Sequence, residues 1–245
     1  MAKLIKGLPC MFDLEHIVSY AFQPIVNVHT KEIFSYEALF RGKHKESLLQ
    51  VMSEIPVELL AEFDQFTREI AIKMAKDLSI KCHLNLNFMT PCLQHSDKFL
   101  IATENAFKKN LLAMDQLIIE VLEGDIIHDP LMLIHNINIM KAKGCKIAID
   151  DFGAGYSGLN LLAKLQPDFI KLDRALIQNI TANGPKQTII KAVILICDEL
   201  GIDIIAEGVE TLQEFDWLQN KGIELFQGYL FARPSFESLP TVVWP

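Results

Sequence analysis

The sequence predicts an α/β chain folded as a (β/α)₈ barrel, and three observations carry that expectation. Eight short apolar segments with strand-like patterning recur along the 245 residues, and helical stretches separate most of them. The first pair is the exception. Only HTKE lies between AFQPIVNV (21–28) and IFSYEALF (33–40), too short a gap for a crossover helix, so these two strands are expected to pair antiparallel. Finally, every predicted strand carries a polar residue within it or at its end, as expected where strand ends converge on a site. A doubly wound open sheet is the alternative arrangement of the same elements.

The elements follow in order. Residues 1–17 read as a short helix or arm, and 18–245 as one domain without a low-complexity linker or break in composition. Residues 45–79 read as helical, because the apolar residues of PVELLAEFDQFTREIAIKMAKDL recur at helical spacing. HLNLNF (83–88) is a strand with a helix near 96–111 after it, and LIIEVLE (117–123) is the next strand. PLMLIHNINIMKAKG (130–144) is a helix ending at a glycine stop. KIAIDDF (146–152) is a strand leading to a short helix near 157–165, and FIKLD (169–173) is the sixth strand. A long helix over 185–201 is capped by Gly201, DIIAEGV (203–209) is the seventh strand, a helix spans 211–222, and LFQGYLF (225–231) is the eighth strand.

Half of the residues are hydrophobic and 22% are charged, a globular balance. The net charge of −8 and the lack of a basic run argue against a nucleic-acid polymer as partner. A small anionic ligand stays open if cations supply positive charge. The five cysteines, Cys10, Cys82, Cys92, Cys145 and Cys197, have no C-x-x-C spacing and read as reduced, mostly buried thiols. The N-terminal stretch lacks a long apolar run, and the most apolar segment, 192–197, is far too short to span a bilayer. A soluble, cytoplasmic chain is expected. Among the seven histidines, His128 and His135 read as helix-face or capping residues, not as ligands.

The chemistry concentrates in KIAIDDFGAGYSGLNL (146–161), where Asp150 and Asp151 stand side by side before a glycine-rich turn. Adjacent residues cannot share a strand face, so one aspartate must turn with the loop. Gly153, Gly155 and Gly158 spell the dinucleotide-binding spacing, with Asp173 near the place of a ribose-binding acid. A pyrophosphate there, however, would face two carboxylates. The polar strand residues are Gln23, Glu37, Asn85, Glu120, Asp150 with Asp151, Lys171, Glu207 and Gln227. Five carboxylates at one barrel mouth repel unless cations join them, and carboxylates with an amide oxygen suit magnesium or manganese.

The ordered segments FQPIV (22–26), YEALFRG (36–42), LNLN (84–87), EVLE (120–123), DDFGAGYSGL (150–159), FIKLD (169–173), AEGVE (206–210) and FQGYLFARP (226–234) resemble the EAL-domain cyclic di-GMP phosphodiesterases of bacteria, over roughly residues 18 to 240. The resemblance implies a modified (β/α)₈, TIM-like barrel with one antiparallel strand, and hydrolysis of cyclic di-GMP to linear 5′-pGpG with two Mg²⁺ or Mn²⁺ ions. It gives Glu37, Asn85, Glu120 and Asp150 to one ion and Asp150, Asp151 and Glu207 to the other. Lys171, with Asp150, would orient or deprotonate the attacking water, and Gln227 would stand near it. Gln23 and Arg41 match ligand-contacting positions, and Glu123 matches the acid anchoring the loop FGAGYSGL. Asp173 and Glu210 are supporting residues. Asn87 and Leu122 depart from the Ser and Thr common in the family. The resemblance also carries a homodimer formed near the loop after strand five, and a separate sensory or regulatory protein as partner. Its alternative is a catalytically silent effector that binds cyclic di-GMP or protein.

Overall fold

The structure is a computed structural model and describes residues 17–46, 48–52, 55–90, 93, 98–124, 129–155 and 158–245. The expected arm, apart from Ile17, lies outside the described residues, as do Cys10, Cys92 and His128. Strands β1 (Val18–Asn27) and β2 (Glu32–Gly42) form the short-turn hairpin. Next come helix α1 (Leu48–Met52), a 3₁₀ turn (Val57–Leu59) and helix α2 (Leu60–Asp77). The helical stretch expected over 45–79 is thus made of separate pieces. Pro56 lacks a backbone donor and disfavours helical backbone at Ile55.

From there strand and helix alternate: β3 (His83–Asn87), α3 (Lys98–Lys109), β4 (Leu117–Leu122), α4 (Pro130–Ala142), β5 (Lys146–Phe152), α5 (Gly158–Leu165) and β6 (Phe169–Leu172). A short helix α6 (Arg174–Ile177), not anticipated from the sequence, is capped by Asp173, whose carboxylate accepts from Ala175 N at 2.7 Å. The chain continues with α7 (Gly184–Leu200), β7 (Asp203–Ala206), α8 (Leu212–Gln219), β8 (Leu225–Phe226) and β9 (Ser235–Phe236).

The sheet closes in the order β2-β3-β4-β5-β6-β7-β8-β1, with β1 returning to β2, so it is a barrel and not an open sheet. β1 runs antiparallel to both neighbours and the remaining pairs are parallel. The extra strand β9 adds to β1 through Ala21↔Phe236 and Phe22↔Ser235, and two residues are too few to show alternation in sequence. Strands seven and eight are shorter than expected. After Phe226 the chain leaves the ladder and is stitched to the preceding loop by Val209 N→Gln227 O (3.1 Å) and Leu230 N→Val209 O (3.1 Å). Gly228 permits this approach, since a Cβ there would lie 2.0 Å from the Val209 carbonyl oxygen.

Two layers fill the barrel. Ile25, Ile118, Ala148, Phe169, Ile205 and Leu225 form an apolar cluster with Phe34 packed on it. Two residues nearer the mouth on the parallel strands stand Glu120, Asp150, Lys171, Glu207 and Gln227. On the reversed strand β1 the order inverts, and Gln23 precedes Ile25. The period of two therefore carries one polar residue per strand into a common plane. A larger core, including Phe22, Leu84, Ile119, Ile147, Ile149, Ile170 and Leu172, packs the outer strand faces against the helices.

Candidate active site

Lys171 occupies the centre of the polar layer. It lies mid-strand between Ile170 and Leu172, which pack outward, so its side chain enters the barrel and is only 1% exposed. Its Nζ lies 2.7 Å from Glu120 Oε1, 2.7 Å from Glu207 Oε1, 3.0 Å from Asp150 Oδ1 and 3.4 Å from Glu37 Oε2. Neighbouring amides complete the network. Asn85 donates to Glu120 Oε1 (2.8 Å), and Gln227 donates to Glu37 Oε2 (2.7 Å) and Gln23 Oε1 (3.4 Å). Gln23 in turn donates to the carbonyl of Ala232 at 2.9 Å.

Asp150 and Asp151 meet here despite being adjacent. The β5–β6 register shifts between Ile149 and Phe152, and Asp151 takes a φ of 55°. That left-handed turn brings the second carboxylate round to the same mouth. Burial, then repulsion from Asp150 and Asp173, pushes the pKa of Asp151 up to about 6. Burial also raises Glu120, helped by Glu37 and Asp150 and opposed by Lys171. Glu207 rises through burial, opposed by Lys171 and aided by Asp150. Desolvation disfavours the charge on Lys171, yet Asp150, Glu120, Glu207 and Glu37 together outweigh it and hold its pKa well above the usual lysine range.

The donor set fits hard divalent cations. Carboxylate oxygens of Glu37, Glu120 and Asp150 lie within 4.8 Å of one another, and so do those of Asp150, Asp151 and Glu207. Asp150 belongs to both groups. Asn85 Oδ1 and Glu120 Oε2 are buried without a hydrogen-bond partner, a costly state that a bound cation would relieve.

The glycine-rich loop after β5 serves an internal carboxylate. Glu123 accepts from the backbone N–H of Gly153 (2.6 Å), Gly155 (3.3 Å) and Gly158 (2.8 Å). The amides that would cradle a pyrophosphate in a dinucleotide site are committed to Glu123, and the barrel has no open-sheet crevice to receive one.

A profile of the EAL domain matches residues 13–234. The chain belongs to the EAL domain family. Among curated relatives it is 35% identical over 228 residues to the blue light- and temperature-regulated antirepressor BluF of Escherichia coli, covering 92% of this chain and 56% of that protein. It is 30% identical over 221 residues to the cyclic di-GMP phosphodiesterase NbdA of Pseudomonas aeruginosa, covering 87% of this chain and 28% of that one. The chain thus spans about half or less of these relatives. Among solved structures, a standalone versatile EAL protein from Vibrio cholerae in its c-di-GMP bound form superposes with a TM-score of 0.88 at 41% identity, covering 92% of this chain and 95% of that one. The manganese/cy-diGMP complex of Klebsiella pneumoniae BlrP1 at pH 9.0 gives a TM-score of 0.88 at 36% identity, covering all of this chain and 60% of that one.

In this EAL domain two cavities meet at Glu37, Leu39 and Asp150. The smaller, about 290 Å³, is lined by Asp151, Lys171 and Glu207, and by Asp173 and Glu210 at its rim, where Glu210 pairs with Arg174 at 2.8 Å. The larger, about 800 Å³, runs beneath α2. Arg41 lines that larger cavity together with Glu37 and Asp150, and donates to the carbonyl of Phe40 at 2.6 Å. The sequence reading missed the far wall, made by Tyr20, Asp64, Thr67, Arg68 and Phe88. Buried Arg68 pairs with Asp64 and stacks on the Phe88 ring at 4.1 Å. Its signal was three polar residues, at i, i+3 and i+4, on the apolar face of a helix. Asn87, a departure from the serine common in the family, also lines this cavity and donates to Glu37 Oε1 at 3.4 Å.

Proposed function

We propose that this chain is a metal-dependent cyclic di-GMP phosphodiesterase, yielding linear 5′-pGpG. The observation that carries the reading is the pair of carboxylate groups sharing Asp150, with buried, unpartnered ligand oxygens on Asn85 and Glu120. Relatives named as cyclic di-GMP phosphodiesterases, and neighbours solved with c-di-GMP and manganese or calcium, support it.

Glu37, Asn85, Glu120 and Asp150 would hold one magnesium or manganese ion, and Asp150, Asp151 and Glu207 the second. Two such ions supply the positive charge that acidifies a water and neutralises a phosphodiester in the transition state. The chain's own residues do the rest. Lys171 holds a proton at Nζ beside the reacting water and, with Asp150, fixes its line of attack opposite the 3′ oxygen. The new P–O bond forms to the water oxygen as the P–O3′ bond breaks; the water gives up one proton by way of Asp150 to solvent, and the departing 3′ oxygen takes one up from solvent. Arg41 grips a phosphate through its fork of donors. Gln23 and Gln227 orient ligand and water, Glu123 holds the loop bearing both aspartates, and Asp173 and Glu210 shape the rim. The 800 Å³ cavity beside Glu37 and Asp150 leaves room for a nucleotide base.

Similarity to the antirepressor BluF favours a second reading, a binding effector without turnover. Chromatography of products after incubation with cyclic di-GMP and Mg²⁺ or Mn²⁺ separates the two. Linear pGpG, lost on chelation, is the expected product. Tight binding with no product under either metal would establish the effector instead. A homodimer, a cytoplasmic setting and a separate regulatory partner belong to the same proposal, and sedimentation of the purified chain tests the first of them.

A further inference from the structure

The position of Lys171 suits a role beyond the handling of a proton. Its ammonium touches all three carboxylates of the first candidate cation group, Glu37, Glu120 and Asp150, and two of the three in the second, Asp150 and Glu207. Its ammonium therefore bridges both groups, as the shared Asp150 does. Ile205 lies beside Lys171 in the β6–β7 register, and Phe169 belongs to the apolar layer below. A single buried cation thus stands among the carboxylates that would hold the two ions.

We infer that Lys171 is a built-in stand-in for the metal ions, holding the carboxylates together in the metal-free protein and competing with the ions for them. In this role, which rests on the two-cation reading above but not on the substrate, Lys171 keeps the site assembled before loading and sets how tightly metal binds. Five carboxylates crowd the mouth, and without a buried cation their repulsion opens it. Loading requires Nζ to withdraw from Glu37 and Glu120, and the 290 Å³ cavity that Lys171 itself lines provides the space.

The test needs no turnover. Lys171→Met and Lys171→Gln are purified and compared with wild type by thermal unfolding in chelator and by calorimetric titration with Mn²⁺ alone. Lys146→Met, which removes a surface lysine paired with Asp168 at 3.0 Å, is the control. In chelator the Lys171 variants are expected to melt about 5 °C or more below wild type, as for loss of a buried charge partner. Mn²⁺ is expected to bind them about tenfold or more tightly, the scale for deleting a unit charge a few ångström away. Variants that fold only in the presence of Mn²⁺ also support the inference. Unchanged or weaker Mn²⁺ affinity overturns it, as does failure to fold even with Mn²⁺ present, because the ions should then replace the lost charge. A protein that binds Mn²⁺ in this pattern but leaves cyclic di-GMP intact defeats the phosphodiesterase reading alone.

Discussion

Glu37 and Lys171 divide the work at the centre of the site, and their substitutions should fail differently. Glu37 belongs to a candidate cation group and also receives Gln227 at 2.7 Å. Glu37→Ala is expected to lower turnover by about 10³-fold, comparable to losing a principal electrostatic stabiliser. Near-normal rates in a folded variant would remove it from the ligand set. Lys171→Ala is expected to separate binding from chemistry. The cation ligands and Arg41 remain, so cyclic di-GMP affinity measured in Ca²⁺ should stay within roughly tenfold of wild type. Single-turnover rates in Mg²⁺ should fall by about 10²-fold or more, the scale of a positioned proton-transfer group. If affinity fell in step with rate, Lys171 would have no separate part in the chemistry.

At the scale of elements, two loops aim residues that do not anchor themselves. The turn after β5 is tied to Glu123 through three backbone amides, and a Cβ at Gly155 or Gly158 would press on Glu123 Oε1 at 3.1 Å. Glu123→Ala is expected to cost about 10²-fold in rate, because small misplacements near reacting atoms are that expensive. Wild-type rate and metal requirement in that variant would show that the loop holds itself. The loop after β8 relies on Gly228. Gly228→Ala drives a Cβ into the Val209 backbone and should displace Gln227, lowering both melting temperature and rate. An unchanged melting temperature would mean that the two loops part without cost. No comparable device was needed for β1 and β2, whose ten paired positions set Gln23 against Glu37 directly.

The whole molecule gathers acid at one end of a closed barrel, which should tie its stability to pH and to any cation bound there. Asp151 titrates at about 6 when folded, against an ordinary value of 3.8, and Glu120 and Glu207 are raised as well. Between those values the folded, metal-free protein holds more protons than the unfolded chain. This contribution to stability is present below about pH 4 and lost as pH rises through 6 and beyond. Glu104, Glu214 and Glu237 are shifted the other way and act only at lower pH, as their stabilisation disappears on acidification. In chelator, the melting temperature is therefore expected to fall from pH 5.5 towards about pH 8. The increase on adding Mn²⁺ should grow over the same range, since ions bind deprotonated ligands. Melting curves with and without Mn²⁺ across that range check both, and a flat Mn²⁺ response would separate the carboxylates from metal binding.

Much of this was legible in the chain itself, because local chemistry wrote it. Period-two patterning, a four-residue gap between the first strands and one polar residue per strand pointed to a barrel with an antiparallel start, and only the closure of the sheet excluded the open alternative. Adjacent Asp150 and Asp151 required a turn between them, and the φ of 55° at Asp151 is that turn. What depends on distant partners could not be read. The ends of β7 and β8 are set by the Val209–Gln227 stitching, β9 exists only because β1 has free edge to accept it, and the far wall of the cavity comes from α2. The central place of Lys171 is of the same kind. A sequence shows a lysine alternating with apolar neighbours, but only closure of the barrel brings carboxylates from four other strands or strand ends within 3.4 Å of its ammonium, since Coulombic contacts between residues far apart in the chain are properties of the folded geometry.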